Sequence, residues 1–453
     1  MTALPLLRHE RPKSILGYVE HASVNVAGFL REVDLVARAL PKRAFVLNLC
    51  SDRYRFAVGL AAALVRRQVT LLPPDHTSAM IARLSKRYDE LYCLADKAAA
   101  DVSLERFSYP ETSARLARRE NLSDRYASAM TVPKFAADQV AAHVFTSGST
   151  GEPSAHEKTF GSLVSGSCIA GAALAINRFT GGNLLATVPA QHMYGLESSV
   201  LLPLQHGVAF DGGRPFYPAD ILARLSALPR PRILVTTPVH LRVVLADAGA
   251  LPELDLLICA TAPLFPQLAS EAEARFGAPL YEIYGCTEAG QLASRRTTNG
   301  AAWKLLEGIT LRSDTSRFFA AGGPVEQEAE LQDLLEIESD DTFLLHGRRT
   351  DLINVGGKRT SLAALNFHLN SIPGVHDGVF VMPDHAPDQL TRLVAFVVAP
   401  GVSDAELQLG LRNRIDPAFL PRPLYRVAEL PRNTTGKLPR SALTRLVAES
   451  AEE

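Results

Sequence analysis

The sequence predicts an α/β fold: a large N-terminal domain of mostly parallel sheets flanked by helices, followed by a small α+β domain. Three observations carry this. Short β-branched or aliphatic runs alternate with longer amphipathic stretches, the pattern of strand–helix crossover units. The texture changes after about Glu330, where paired half-buried strands precede a second β/α series. The chain has 453 residues, which at ~150 residues per domain suggests two or three domains.

In chain order, the expected strands are Phe45–Leu49, Val69–Leu72, Ala141–Thr146, Leu184–Val188, Ile233–Thr236, Leu256–Ala260 and Leu280–Tyr284. Helix-like stretches lie between them at Phe56–Arg67, Ser162–Ile176, Pro238–Ala248 and Pro266–Phe276. Later, Ala329–Ile337 and Thr342–Leu345 read as strands joined by the turn Glu338–Asp341. The second series has strand Leu352–Val355, helix Leu362–Asn370, strands Gly374–Met382 and Arg392–Ala399, and helix Asp404–Ile415. A boundary at 347/348 divides the chain into residues 1–347 and 348–453. Open parallel sheets bind ligands beyond the carboxyl ends of their strands, so the loops after the strands are where chemistry is expected.

Composition narrows the classes. With 47 Lys+Arg against 48 Asp+Glu, the chain lacks the basic surplus of a general nucleic-acid binder. At 47% hydrophobic and 21% charged it can build a core, which excludes a disordered tail protein. Cys50, Cys93, Cys168, Cys259 and Cys286 are scattered without a Cys-x-x-Cys pair, so a disulfide framework or zinc ribbon is not expected. The apolar stretch Phe56–Val65 is closed by Arg55, Arg66 and Arg67 and is far below the ~20 residues of a membrane span. Residues Met1–Lys13 carry no signal-peptide pattern. A soluble, cytoplasmic protein is expected.

Four loops could carry chemistry. Thr146-Ser147-Gly148-Ser149-Thr150-Gly151 directly follows a strand; small hydroxyl residues and glycines let backbone and side chains donate to a phosphate. The Gly-Lys-Ser/Thr of a Walker loop is missing, because Pro153 follows. Tyr284-Gly285-Cys286-Thr287-Glu288 sits at a second strand end. Its hydroxyl and carboxylate suit a phosphate oxygen and Mg²⁺, or equally a helix N-cap at Thr287. The third is Gly347–Asp351 with Gly356-Gly357-Lys358, and the fourth is Thr434-Thr435-Gly436-Lys437. Taken singly, each also reads as a solvated turn.

Their joint occurrence in this order resembles the adenylate-forming superfamily of acyl- and aryl-CoA synthetases, peptide-synthetase adenylation domains and luciferases. The likeness runs from about His143 to Arg440. Two departures stand out: Ser154 occupies the place of the usual lysine, which appears later as Lys158, and Leu331-Gln332-Asp333 replaces Thr-Gly-Asp. Ser-Thr-Gly-x-Pro with a displaced lysine is similar to the short aryl-acid ligases of bacterial aryl-polyene and xanthomonadin-type pigment clusters.

The resemblance implies ATP and Mg²⁺ as cofactors and a two-step reaction, in which an acid forms an acyl-adenylate and a thiol then displaces AMP. It places Thr146, Ser147, Gly148, Ser149, Thr150, Gly151 and Lys158 on the phosphates. Tyr284, Gly285, Asp333 and Arg348 fall on the nucleotide, and Thr261 and Ala262 on the nucleotide and the acyl pocket. Thr287 falls on the α-phosphate, Glu288 on the metal, and Lys437 between carboxylate and phosphate. His192 would lie beside the acyl carboxylate, with Met193, Tyr194, Gly195, Thr237, Pro238 and Cys286 lining the acid pocket. Gly356, Gly357 and Lys358 would line a thiol channel, and residues 348–351 would be the hinge of a mobile C-terminal domain. The acceptor is CoA or the phosphopantetheine of a carrier protein. Eight basic residues from Arg412 to Arg445, opposed by Asp416 and Glu429, suit an acidic acyl carrier protein. A hydroxybenzoate-type acid is the first substrate expected, a fatty or β-hydroxyacyl chain the second, and a non-catalytic nucleotide-binding relative the remaining reading.

Overall fold

The computed structural model describes residues 2–97, 103–111, 115, 131–147, 153–246, 249–315, 317–355, 358–383, 393–432 and 438–451. Two sheets dominate it. The first has six strands in the order Pro153–Thr159, Val140–Ser147, Val69–Leu72, Phe45–Asn48, Leu91–Ala95 and Arg106–Ser108. All pair in parallel except Pro153–Thr159, which returns antiparallel along Val140–Ser147. The second has eleven strands. Its centre is parallel: Ile15–Val19, Ala209–Asp211, Asn183–Ala186, Arg232–Thr236, Leu256–Cys259 and Leu280–Cys286. From Leu280–Cys286 the sheet continues antiparallel through Gly290–Arg295, Trp303–Leu305, Thr342–Arg348 and Asp333–Ile337.

The helix Arg53–Val65 is buried from Arg53 to Leu64. A helix buried all round must have partners on every side, and here they are the two sheets and the helix Val26–Ala39. One continuous apolar cluster joins its Phe56, Val58 and Leu60 to Val46 and Val144 of the first sheet and to Leu184, Phe210 and Val235 of the second. Asp52 caps this helix by accepting from the Arg55 N–H, so it begins three residues before the expected Phe56. The opposite face of the large sheet is covered by helices Pro218–Ala227, Pro238–Ala246 and Pro266–Phe276.

The C-terminal part has its own small cores. Asp377–Val381, Val394–Val398 and Leu424–Arg426 form a three-stranded sheet beside helices Leu362–Asn370 and Asp404–Arg412. The chain is therefore a large sheet-rich α/β unit with a smaller C-terminal domain, the expected fold class. Among the described residues no helix is long and apolar enough to cross a membrane.

Two expectations fail. The single strand expected at Ala329–Ile337 is two, Val325–Leu331 and Asp333–Ile337, in different sheets. Alternation continues through Gln332 and cannot reveal that the pairing partner changes there. The strand Pro153–Thr159 was not expected, because its polar sequence Pro-Ser-Ala-His-Glu-Lys-Thr reads as a loop.

Glu32 ties the inner helices together. It is wholly buried and accepts from Tyr54 Oη at 2.9 Å and Tyr109 Oη at 2.6 Å. Replacing Tyr109 with Phe leaves this carboxyl one donor short, so chemical denaturation should show a loss of about 1–3 kcal/mol. Unchanged stability would mean that Glu32 does not depend on that hydroxyl.

Candidate active site

The two sheets meet at the end of the Pro153–Thr159 strand. Its alternate residues Ser154, His156 and Lys158 share one face, running from exposed through half-buried to buried. Ser154 lies opposite Thr146 in the register. His156 Nε2 is 2.9 Å from Thr146 Oγ1 and 3.9 Å from Glu288 Oε1. Lys158 Nζ donates to the Glu288 backbone carbonyl at 2.5 Å. The first sheet thus grips the turn on which the second sheet carries Thr287 and Glu288.

That turn, residues 287–289, joins Leu280–Cys286 to the antiparallel Gly290–Arg295. No helix follows it, so the N-cap reading of Thr287 falls. Thr287 and Glu288 are half-buried on the turn. A Cβ on Gly285 would lie 2.2 Å from the Gly290 carbonyl oxygen, so only glycine permits this close approach. Below the turn, Glu282 is buried and accepts from Arg295 Nε, Thr297 Oγ1 and the Leu264 N–H.

Farther along the same sheet, Tyr284 Oη donates to Asp333 Oδ2 at 2.9 Å, and Arg348 Nε lies 3.9 Å from Asp333 Oδ1. The Tyr284 ring is boxed in by Trp303 and Phe343. Burial raises the Asp333 carboxyl above its ordinary range, and the Tyr284 hydroxyl opposes the shift. Three residues expected around the nucleoside therefore form one cluster.

His192 precedes the short helix Met193–Leu196, which continues as a π-helical stretch Glu197–Leu201. Wide turns of this kind concentrate at functional sites. A Cβ on Gly195 would fall 1.8 Å from the Pro189 carbonyl oxygen. Arg53 secures the loop before it by donating to the carbonyls of Ala186 and Val188. Tyr194 Oη donates to Thr236 O and Ile258 O at the ends of neighbouring parallel strands. Thr237 Oγ1 lies 2.8 Å from His240 Nδ1 and starts the helix Pro238–Ala246. Thr261, a β-branched residue with φ +83°, and Ala262 follow the next strand; such a conformation is costly and concentrates at binding sites. Burial pushes the Cys286 thiol up to about 12, so it stays a thiol and not a thiolate at neutral pH.

Two residues are additions to the set expected from sequence. His156 could have been found by counting in twos from Ser154 once a strand was suspected. Glu197 is a lone acid in an apolar run, and that contrast is its signal. It is fully buried, and burial pushes its carboxyl up to about 7 against the pull of Lys158. Burial likewise lowers Lys158, opposed by Glu197 and other acids. Glu197 Oε1 lies 3.4 Å from the Gln291 N–H and would be 2.7 Å from a Cβ on Gly290.

Lys437, Gly148, Ser149, Thr150, Gly151, Gly356 and Gly357 lie outside the described residues. Ser147 ends its strand. Lys358 Nζ is bonded to Asp416 Oδ2 at 2.6 Å. Of the C-terminal arginines, Arg426 pairs with Asp404 and Arg432 with Asp377; Asp377 also faces Arg242 of the helix Pro238–Ala246 at 3.5 Å. Among the described residues no three His, Cys, Asp or Glu side chains gather as a metal cage. One carboxylate at a phosphate site fits Mg²⁺, which is held chiefly by substrate phosphates and water.

The family model described as AMP-binding enzyme matches residues 54–333. A 4-coumarate–CoA ligase of Rhodobacter capsulatus is 30% identical over 271 residues, covering 60% of this chain and 66% of that protein. A probable 2-succinylbenzoate–CoA ligase of Mycobacterium tuberculosis is 29% identical over 353 residues, covering 70% of this chain and 87% of that protein. The structure of o-succinylbenzoate CoA synthetase from Bacillus subtilis with its acyl-adenylate superposes with a TM-score of 0.78 at 19% identity, over 98% of both chains.

Glu197 gives a pH test. Its carboxyl titrates near 7 when folded, against an ordinary value of 4.5. The folded chain holds that proton more tightly, so the contribution to stability is full below about 4.5 and is lost as pH rises through about 7. Glu197→Gln should flatten a decline of about 3 kcal/mol across that window. Parallel stability–pH curves for the two proteins would show that Glu197 ionises normally.

Proposed function

The chain belongs to the AMP-binding enzyme family, and from that premise we propose that it is an ATP-dependent acid–thiol ligase acting on an aryl carboxylic acid. The observation that carries the reading is the seam. His156 of one sheet, 2.9 Å from Thr146 of the same sheet, lies 3.9 Å from Glu288 on the turn of the other, while Tyr284, Asp333 and Arg348 cluster farther along the second sheet.

In this reading a carboxylate oxygen of the acid attacks the α-phosphorus of ATP. A P–O bond forms, pyrophosphate leaves, and the acyl-adenylate remains. A thiol sulfur then attacks the acyl carbon, and AMP departs. Both nucleophile and target of the first step are anionic, so fixed donors must offset their repulsion. Thr146 and the Ser147–Gly151 loop hold the polyphosphate, Thr287 the α-phosphate, and Asp333 with Tyr284 the nucleoside. Glu288 would hold Mg²⁺, which would supply charge neutralisation at the phosphates. Lys437 approaches from the C-terminal unit, residues 348–453, in the first step and withdraws in the second, with residues 348–351 as the hinge. A flexible ammonium suits a charge that is needed transiently.

The acid lies beside His192, in a pocket walled by Met193, Tyr194, Gly195, Thr237, Pro238 and Cys286. The aryl preference is supported by relatives named for coumarate and succinylbenzoate. A hydroxybenzoate-type acid for pigment synthesis is the finer reading, which rests on the Ser154 and Lys158 pattern. The acceptor is CoA, as in those names, or a carrier-protein phosphopantetheine. Pairing of Arg426 and Arg432 within the C-terminal part reduces the free charge that a carrier protein would meet.

The test is carboxylate-dependent pyrophosphate release, with hydroxylamine as trap, across hydroxybenzoates, cinnamates and fatty acids. Release with aryl acids is expected, and adding CoA or a phosphopantetheinylated carrier protein then identifies the acceptor. A response to fatty acids alone would move the substrate class, and silence in a chain that binds ATP would favour a non-catalytic relative. Lys437→Ala should lower release by about 10²-fold while ATP still binds; unchanged release would remove Lys437 from the mechanism.

A further inference from the structure

We propose that His156 is a nucleotide-binding residue, donating from Nε2 to an oxygen of the β- or γ-phosphate of a nucleoside triphosphate. The inference rests on reading the seam between the two sheets as the nucleotide site.

The argument begins with the strand. Side chains alternate along Pro153–Thr159. Ala155 packs into the core cluster on the outer side of the first sheet, while Ser154, His156 and Lys158 face the second sheet. Lys158 is the formal cation of this face, yet it is buried and its ammonium is bonded to the Glu288 carbonyl from behind the turn. His156 stands one step nearer the open end. It is half-buried, with Nε2 2.9 Å from the Thr146 hydroxyl and 3.9 Å from the Glu288 carboxylate.

These two neighbours bracket the place a polyphosphate would take. A hydroxyl at the end of the Val140–Ser147 strand marks one side, and a carboxylate suited to Mg²⁺ marks the other. An imidazole N–H between them completes a set of one hydroxyl, one ring donor and one metal ligand, which is the chemistry a triphosphate tail requires. His143, on the neighbouring strand, is a useful contrast. Its Nδ1 is 3.0 Å from Tyr88 Oη and its Nε2 3.5 Å from Glu157 Oε1, so its ring is engaged by side chains that have no part in the seam. Among the described residues, His156 Nε2 instead meets Thr146 and Glu288 of the seam.

A contact to the β- or γ-phosphate has a signature that a structural role lacks: it discriminates ATP from AMP, which carries neither group. Calorimetric titration of the full chain with MgATP and with AMP, in the absence of acid, reads this directly for wild type, His156→Ala and His156→Gln. Loss of the donor should weaken ATP about tenfold, the size of one hydrogen bond to a charged partner, and leave AMP within about twofold. The Gln variant should recover part of the loss, because its amide can donate from a similar place. AMP binding also reports that each variant is folded.

Equal weakening of ATP and AMP would overturn the proposal, since the side chain would then be acting on the strand and not on the tail. Unchanged ATP affinity would overturn it as well. If wild type binds neither nucleotide, this inference and the nucleotide reading of the seam fall together. If wild type binds both but releases no pyrophosphate with any acid, the ligase assignment fails, and the ATP-over-AMP difference still decides the role of His156.

Discussion

A buried ammonium bonded to a backbone carbonyl holds the candidate site together. Lys158 belongs to the six-stranded sheet and Glu288 to the turn of the eleven-stranded one. Removing an ammonium from water costs several kcal/mol unless its donors are met and an opposite charge lies near. Here the Glu288 carbonyl accepts from the ammonium, and Glu197 offsets the effect of burial on Lys158 once its own carboxyl ionises, near pH 7. The arrangement fixes where the two sheets sit at their common edge. His156 can approach Glu288 because the sheets meet at that edge.

The rest of the second sheet serves the same turn. Glu282 anchors its base through three donors, and Gly285 with Gly290 allows the two strands to close on each other. Tyr284, one residue before Gly285, turns its hydroxyl to Asp333 at the far edge of the sheet. On the other side the segment from His192 to Leu201 lies against the turn, where Glu197 and Met193 both approach Gly290. The residues assigned to acid and to phosphate are therefore neighbours through a single glycine, and packing at that point couples the two halves of the site.

The parallel strands and most helices were legible because apolar runs and their punctuation are local properties. Pro266–Phe276 and Leu362–Asn370 fall where the pattern places them. The loops after the strands were legible too, since hydroxyl, glycine and acidic residues clustered there. Illegible features were those decided by pairing. Residues 329–337 look like one strand until Asp333 pairs with Arg348 in another sheet. The polar Pro153–Thr159 is a strand because Val140–Ser147 offers it an edge, and His156 gained meaning with that pairing. Thr287 carries the residue type of a helix cap but sits in a hairpin turn. Glu197 stood out as a lone acid in an apolar run, but that contrast says nothing about the distant Lys158 whose charge it feels.

The seam has a consequence for the life of the molecule. A ligand that touches both sheets fastens them, and anything that binds only the closed arrangement stabilises it in proportion to the logarithm of its free concentration over its dissociation constant. The Lys158 bond and the His156–Glu288 approach join Pro153–Thr159 to the 287–289 turn, and solvent can contest both once the edge opens. If nucleotide binds in the proposed seam, parting the sheets requires expelling it first. On the proposed site, the durability of this protein is not a fixed property of its sequence: it follows the nucleotide supply of its surroundings, and a chain deprived of that supply is the one a protease meets with its edge strand ajar.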